Sequence, residues 1–594
     1  MIYQVRTSGH PLRSLINILL SVVAFQKPLT ALASIDPAAD DGNADYEMYA
    51  YWTDSSTLSE ANMELASTWS NLCLGEHSGC SIDTEYTLPS RVIHIRGPRD
   101  LVLEDGEGRW LPYLTLSYKW GETKRYCTLT ENIADHKQKI PFEALPKTFQ
   151  HAVLVANRLG FKYLWIDALC IIHDSPEDLQ SEISQMGSIY QASTITLFAE
   201  AGDDSEAGLS IPRDPRSSKP CKLDLRATFD SRVLEVSRYA CYNPFNLLQA
   251  EPKQSPLQER GWVLQEELLS PRLLKFGSRQ LKWECRHSTF CESLPYEHHR
   301  DATLRPKNHE LRSWMYDRRA AQDLDSQKRR DMFTCWCELV ENYCKRSLTY
   351  ANDALPAIAG IANVFAKNNR LSYINGLWKD DLPWGLLWAV HKGDSADTSH
   401  SSHQQVIDRP EAPSWTWLSQ WSKPIEFEQK QVRYWAKSYA TMIDQLGHSD
   451  DDLNETACGQ DETPLDHTIS FQRVDMRPLR LRGHLITGDV KLGSWSPSLP
   501  QAWGRRVTTH HTREDMGLFF PDSDPFKEPI LEVTCCLCIV CEDRHSAAYL
   551  WLALVSTSQP DVYKRVGMGR LDIDKTHSLP SFWEAEGKAT FTLV

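Results

Sequence analysis

The sequence predicts an α/β chain, with a parallel-sheet core, a mostly helical continuation and a β-rich C-terminal region. Three observations carry this. Tyr113 to Glu200 reads strand, helix, strand, helix, strand, with polar residues at the strand ends. Strands separated by helices imply right-handed βαβ crossovers and a parallel sheet. Phe333 to Tyr343 and Leu355 to Phe365 have helical spacing, whereas from Val474 onward the pattern turns β-like, starting with clean alternation in Leu479-Arg-Leu-Arg-Gly-His-Leu485.

The core elements follow in order. Leu114-Thr-Leu-Ser-Tyr118 is short, apolar and β-prone, and it stops at Lys119-Trp-Gly-Glu122, as a buried strand does. Pro146 is placed at the first position of the next helix, where its missing N–H costs nothing. Phe149, Ala152, Val153 and Ala156 give that helix one apolar face, and Gly160 ends it. Tyr163-Leu-Trp-Ile166 is the second strand, with Asp167 at its carboxyl end. Ser175-Pro-Glu-Asp178 combines a cap, a first-turn proline and two acids near the positive end of the helix dipole. Leu179, Ile183, Met186 and Tyr190 form the apolar stripe of this helix, and Glu182 is expected at its edge. Thr194, Ile195, Thr196 and Leu197 alternate in the third strand. Ligands of such sheets bind beyond the carboxyl ends of the strands. That rim holds Ser117, Trp120, Gly121 and Asp167.

Five motifs in order resemble the fungal heterokaryon-incompatibility (HET) domain: Leu116-Ser-Tyr-Lys-Trp-Gly121, Leu145-Pro-Lys-Thr148, Tyr163-Leu-Trp-Ile-Asp-Ala-Leu-Cys-Ile171, Glu182 with Met186 and Ile189-Tyr190, and Arg260-Gly-Trp-Val-Leu-Gln-Glu266. Leu88-Pro-Ser-Arg91 resembles the entry to that domain. There are two departures. His151 stands where an acidic residue is common, and Leu179 stands where Trp is common. The resemblance divides the chain into an N-terminal extension and linker (1–58), a HET domain (59–290), a mostly helical continuation (291–426), and an acidic linker followed by a β-rich region (427–594). It implies fungal non-self recognition, with cell death triggered after contact with a protein partner or another copy, in the cytoplasm.

The same order of strand, Ser-Tyr-Lys-Trp-Gly-Glu, strand-Asp and helix-Glu resembles the Toll/interleukin-1 receptor (TIR) domain, so the core is expected to be TIR-like. In enzymatic members of that family a helix glutamate serves cleavage of NAD at its glycosidic bond. This implies Glu182 as the catalytic carboxylate, with Ser117, Trp120, Gly121 and Asp167 lining the ligand site. NAD then enters as a substrate, and no resident cofactor is expected. The alternative is that Glu182 pairs with a neighbouring cation or caps a loop, and that the domain is an interaction module.

Composition narrows the classes. The chain has 594 residues, 41% hydrophobic and 24% charged, which is ordinary globular material. Its net charge of −15 and lack of a basic stripe argue against nucleic-acid binding. Arg6 and Arg13 before the apolar run Leu15 to Phe25 resemble a signal peptide, but the run is too short to span a membrane comfortably. An N-terminal extension of an intracellular protein is the preferred reading, with secretion as the alternative. There is no Gly-rich phosphate loop and no Gly-x-Ser-x-Gly elbow. Cys170 lies in an apolar run, where a thiol is a poor nucleophile.

The 16 cysteines are irregularly spaced and read as buried free thiols. Cys73-x3-His77-x2-Cys80 offers three zinc ligands, but no fourth follows at a standard spacing. A cap of buried cysteines is preferred there. Cys535, Cys536, Cys538 and Cys541 sit in an apolar run that reads as a buried strand, with metal binding as the alternative. No metal ligand is assigned.

Overall fold

The computed structural model of the chain describes residues 32–34, 54–80, 87–106, 108–121, 126–214, 221–229, 232–242, 255–295, 309–316, 326–390, 411–421, 423–427, 436–438, 440–443, 478–491, 505–509, 515–522, 532–542, 546–574 and 588–594. Residues 36–45, 393–403 and 444–466, and the apolar run Leu15 to Phe25, lie outside them. The chain divides into two compact units. One comprises Met1–Gln258 and Ser270–Lys307, the other Glu259–Leu269 and Asn308–Val594.

In the first unit, strand β1 (Leu32–Ser34) precedes helix α1 (Glu60–Glu76). Ser59 caps α1, its side chain accepting from the Asn62 N–H at 3.3 Å. β2 (Arg91–Gly97) and β3 (Asp100–Asp105) form a hairpin, followed by β4 (Leu114–Ser117), α2 (Ile133–Gln138), β5 (Ile140–Pro141) and α3 (Lys147–Arg158). Next come β6 (Tyr163–Trp165), the single turn α4 (Asp167–Cys170), α5 (Pro176–Ala192), β7 (Ile195–Phe198), and β8 (Cys221–Phe229) with β9 (Arg232–Tyr242). After helix α6 (Gly261–Leu269), which belongs to the second unit, the first unit resumes with β10 (Arg272–Phe276), β11 (Leu281–Cys285) and β12 (Thr289–Cys291).

Nine strands form one sheet, ordered β12-β11-β10-β7-β4-β6-β2-β3-β5. Its central four, β10, β7, β4 and β6, run parallel. The flanking strands are antiparallel. The expected parallel sheet is thus the centre of a mixed one. Short hairpin turns force β2–β3, β10–β11 and β11–β12 to be antiparallel, whereas β6–β2 and β3–β5 bring together strands distant in sequence. β8 and β9 pair separately, with β1 alongside β9.

The helices follow their sequence signals with two differences. Pro146 is the N-cap of α3 and not its first residue, while Phe149, Ala152, Val153 and Ala156 are buried as expected and Gly160 takes φ +83° beyond the end. Ser175 caps α5 with Pro176 in its first turn. On α5, however, Leu179 and Ile183 are half-buried, whereas Glu182 is buried alongside Met186 and Tyr190. Glu182 lies within the packed face, not at its edge.

Every residue of β4 and β7 is buried. The polar–apolar alternation of Thr194 to Leu197 does not mark a half-exposed strand here, because the hydroxyls satisfy one another. Thr115 and Thr196 hydroxyls are 2.6 Å apart, and Thr196 meets Ser270 at 2.6 Å. Glu292 joins distant pieces of the unit. It takes both Arg213 guanidinium nitrogens at 2.5 and 3.1 Å and accepts from the backbone of Leu281 and Asp54.

The second unit joins α6 to α7 (His309–Tyr316), α8 (Ser326–Tyr343) and α9 (Pro356–Asn369). The Gln265 side chain of α6 accepts from the Gly360 N–H at 2.8 Å, and Arg312 donates to the Glu267 carbonyl at 2.6 Å. Trp336, Phe365, Tyr373 and Trp378 pack as rings with centroids 4.8–5.9 Å apart. Short strands β13 (Tyr373–Ile374), β14 (Leu377–Trp378), β15 (Trp388–Val390), β16 (Ile425–Phe427), β17 (Ala436–Ser438) and β18 (Thr441–Met442) lead into β19 (Leu479–Lys491), β20 (Arg505–Thr509), β21 (Asp515–Pro521), β22 (Glu532–Glu542), β23 (Ser546–Ser556), β24 (Val562–Asp574) and β25 (Lys588–Leu593).

The pairings run from β19 to β22, β23, β24, β21 and β20 and return to β19, closing a ring of six strands. Closure removes exposed edges within the ring. The Cys535–Cys541 run is in β22, with Cys535, Cys536 and Cys538 buried, as the strand reading expects. Val562 to Asp574 is one long strand. Among the described residues, no helix is long and apolar enough to cross a membrane.

Leu197 sits fully buried in β7 between two parallel neighbours. Leu197→Ala is expected to cost about 2–5 kcal/mol in urea denaturation. A loss below about 1 kcal/mol would mean that this strand is not the packed centre of the unit.

Candidate functional site

The order of the parallel strands creates the site. The chain passes from β4 to β6 on one side, then crosses back to β7 on the other side. Connections leaving adjacent strands in opposite directions open a crevice at their carboxyl ends. Here those ends are Ser117 on β4 and Phe198 on β7.

Ser117 is buried, and its Oγ has no hydrogen-bond partner among the described residues. Such a group costs free energy unless something pairs with it. Tyr118 packs edge-on to Phe149 of α3 at 4.9 Å. Trp120, half-buried, donates from Nε1 to Asp167 Oδ2 at 2.7 Å. Asp167 Oδ1 accepts from the Ala168 N–H at 2.7 Å. Asp167 is therefore an organiser of loop backbone and indole. The His173 ring stands edge-on to Trp120 with centroids 5.1 Å apart, and its Nε2–H donates to the Asp167 carbonyl at 3.2 Å. Gly121 has φ +76°, and a Cβ there would come within 2.4 Å of Asp204 Cβ. Only glycine fits that close passage.

Opposite, Glu200 follows β7 and is buried, with Lys282 Nζ at 3.4 Å. Beneath the same loops, His151 Nδ1 accepts from the backbone N–H groups of Leu209 and Ser210 at 2.9 and 3.4 Å. Burial lowers its pKa, helped by Lys147, which keeps Nδ1 free to accept. The imidazole thus serves as an acceptor for loop amides at the position where acids are common in the family resembled.

Glu182 is held by a different set of partners. Arg91, at the start of β2, donates to Asp178 at 2.5 Å and lies 3.6 Å from Glu182 Oε1. Arg91 Nε also donates to the Cys170 carbonyl at 2.7 Å. Glu182 Oε2 is buried without a hydrogen-bond partner among the described residues. Burial raises the pKa of this carboxyl, Ser90 and Arg91 oppose the rise, and Asp178 adds to it. Cys170 is fully buried, and burial pushes its thiol up to about 12. It is no nucleophile at neutral pH.

Thus Trp120, Asp167, Ser117 and Gly121 belong to the rim of β4 and β6, while Glu182 belongs to an Arg91–Asp178–Glu182 group under the first turns of α5. Arg91, His173, Asp204 and Glu200 were not assigned from sequence. Glu200 follows its strand as Asp167 follows β6, so the same rule points to it.

A second convergence lies elsewhere in this unit. The ligand atoms of Cys73, His77, Cys80 and Cys285 lie within 4.8 Å of one another, and all four residues are buried. Cys285 ends β11, 208 residues from His77, beyond any local spacing rule.

The model of the family described as heterokaryon incompatibility protein (HET) matches residues 113–266. The chain carries a HET domain. The match runs from the residue before β4 into α6, so it contains the whole rim and the Glu182 group except Arg91. No curated protein and no solved structure matches the chain.

Ionising Glu182 in its buried place costs stability. A raised carboxyl pKa means that the folded state holds the proton more tightly than the unfolded state does. The cost is absent below the unfolded value and complete above the folded one. Glu182→Gln is therefore expected to gain stability relative to wild type as pH rises above the ordinary glutamate value of about 4.3, read by urea denaturation at each pH. A difference independent of pH would contradict a raised carboxyl. Arg91→Met leaves two acids unpaired and is expected to cost about 3–5 kcal/mol.

Proposed function

We propose that this chain is a fungal non-self-recognition protein whose HET domain triggers cell death when the chain meets a protein partner or another copy of itself. The single observation that carries this reading is the family match over residues 113–266, which contains three of the four central parallel strands, β4, β6 and β7. The rim of Ser117, Trp120, Gly121 and Asp167 supports it as the working surface, because an unsatisfied buried hydroxyl and a tryptophan fixed by a carboxylate form a prepared crevice. The second unit is assigned the sensing or restraining role.

The test is induced expression in a filamentous fungus, scored by viability. Wild type is expected to arrest growth. Trp120→Phe keeps an aromatic, though smaller, ring and removes the Nε1 donor, and it is expected to weaken killing at least about tenfold, the equivalent of roughly 1.4 kcal/mol, with the melting temperature preserved. Killing unchanged by Trp120→Phe removes the rim from the function. Absence of any arrest by wild type, with partner strains included, counts against the effector reading itself.

A second reading, NAD cleavage in a TIR-like manner, is favoured by one observation: Glu182 Oε2 is buried with no hydrogen-bond partner among the described residues. Scission of the nicotinamide glycosidic bond passes through an oxocarbenium-like state that a carboxylate stabilises. In this reading Glu182 is the catalytic group, Arg91 sets its charge, and the four rim residues hold the nucleotide. Cellular NAD separates the two readings. A fall with wild type and none with Glu182→Gln assigns the enzyme, whereas arrest with NAD unchanged assigns a signalling module.

A further inference from the structure

Cys73 lies in the last turn of α1, His77 is its C-cap, Cys80 ends the short turn that follows, and Cys285 is the last residue of β11. The three cysteines are free thiols. Three sulfurs and one imidazole nitrogen within 4.8 Å form a closed set of four soft ligands. A zinc tetrahedron with bonds of ~2.3 Å has sulfur–sulfur edges of roughly 3.8 Å. Side-chain rotations of about an ångström or less close the set around one ion.

The surroundings provide a second argument, based on charge. Arg272 is buried in this group, and among the described residues it forms no ion pair with a carboxylate. Its Nε donates to Cys73 Sγ at 3.2 Å, while its other nitrogens reach the carbonyls of Thr194 and Cys80 at 3.2 and 2.6 Å. A buried guanidinium needs a counter-charge. Three neutral thiols supply none. Three thiolates and a neutral imidazole on a divalent ion sum to −1, which balances Arg272. The sulfurs also accept hydrogen bonds as metal thiolates do. The Ser288 N–H donates to Cys285 Sγ at 3.2 Å, alongside the Arg272 bond to Cys73.

We propose that Cys73, His77, Cys80 and Cys285 form a structural zinc site that pins α1 to the end of β11. The donor set selects zinc over magnesium or calcium, which take oxygen ligands. Four protein ligands leave no open position, so the site is structural and not catalytic. Loading displaces three thiol protons as three Zn–S bonds form, so binding weakens in acid.

The test uses the full chain, purified without a histidine tag, with bound metals measured by mass spectrometry. About one zinc per chain is expected, falling to near zero in Cys80→Ser and Cys285→Ser and unchanged in Cys170→Ser. Should the serine variants precipitate, cobalt exchange into wild type decides. Thiolate-to-cobalt charge-transfer bands with the visible bands of tetrahedral cobalt are expected. Wild type without stoichiometric zinc, a disulfide between Cys73 and Cys80, or octahedral cobalt spectra each overturn the proposal. None of these readouts depends on growth arrest or on NAD.

Discussion

β4 has parallel neighbours on both sides, and this placement governs the first unit. All four of its residues are buried, so both faces of the sheet are covered there, and its threonine meets a hydroxyl of the neighbouring β7. Because the chain leaves for β6 and returns for β7, the loops at the carboxyl end diverge. Trp120, Gly121, Asp167 and Asp204 are what the divergence leaves to be organised. The indole–carboxylate bond and the glycine passage hold those loops in one arrangement.

Local signals were readable because they are local. Ser175 with Pro176, the apolar face of α3, and Gly160 each act within one or two helical turns, and each appears where short-range chemistry places it. Pairing choices were not readable. The pairings of β6 with β2 and of β3 with β5 depend on which distant strands meet, and nothing in Arg91 to Gly97 says that it lies against Tyr163 to Trp165. The ring closed by β19 with β20 and β22 is hidden for the same reason.

The candidate site shows the same division. The rim residues follow from a rule about strand ends, so Ser117, Trp120, Gly121 and Asp167 could be named in advance. Glu182 could be placed on α5 but not judged for burial. Helical spacing set it beside the apolar stripe, yet the deciding partner, Arg91, comes from β2, far away in sequence and singled out only as a domain entry. The same holds for Cys73, His77 and Cys80, whose companion Cys285 arrives through strand order alone.

The division into two units is not a division of the gene into two segments. Residues Glu259–Leu269 are folded into the second unit, although the chain on both sides of them belongs to the first. Helix α6 owes its partners, Gly360 and Arg312, to sequence that follows much later. No single breakpoint can therefore transplant either unit intact. A recombination event that joins the first 290 residues to a new C-terminal partner strands α6 without those contacts. Interleaving of this kind ties the inheritance of the two units together, and new pairings arise more readily by change within each unit than by shuffling between genes.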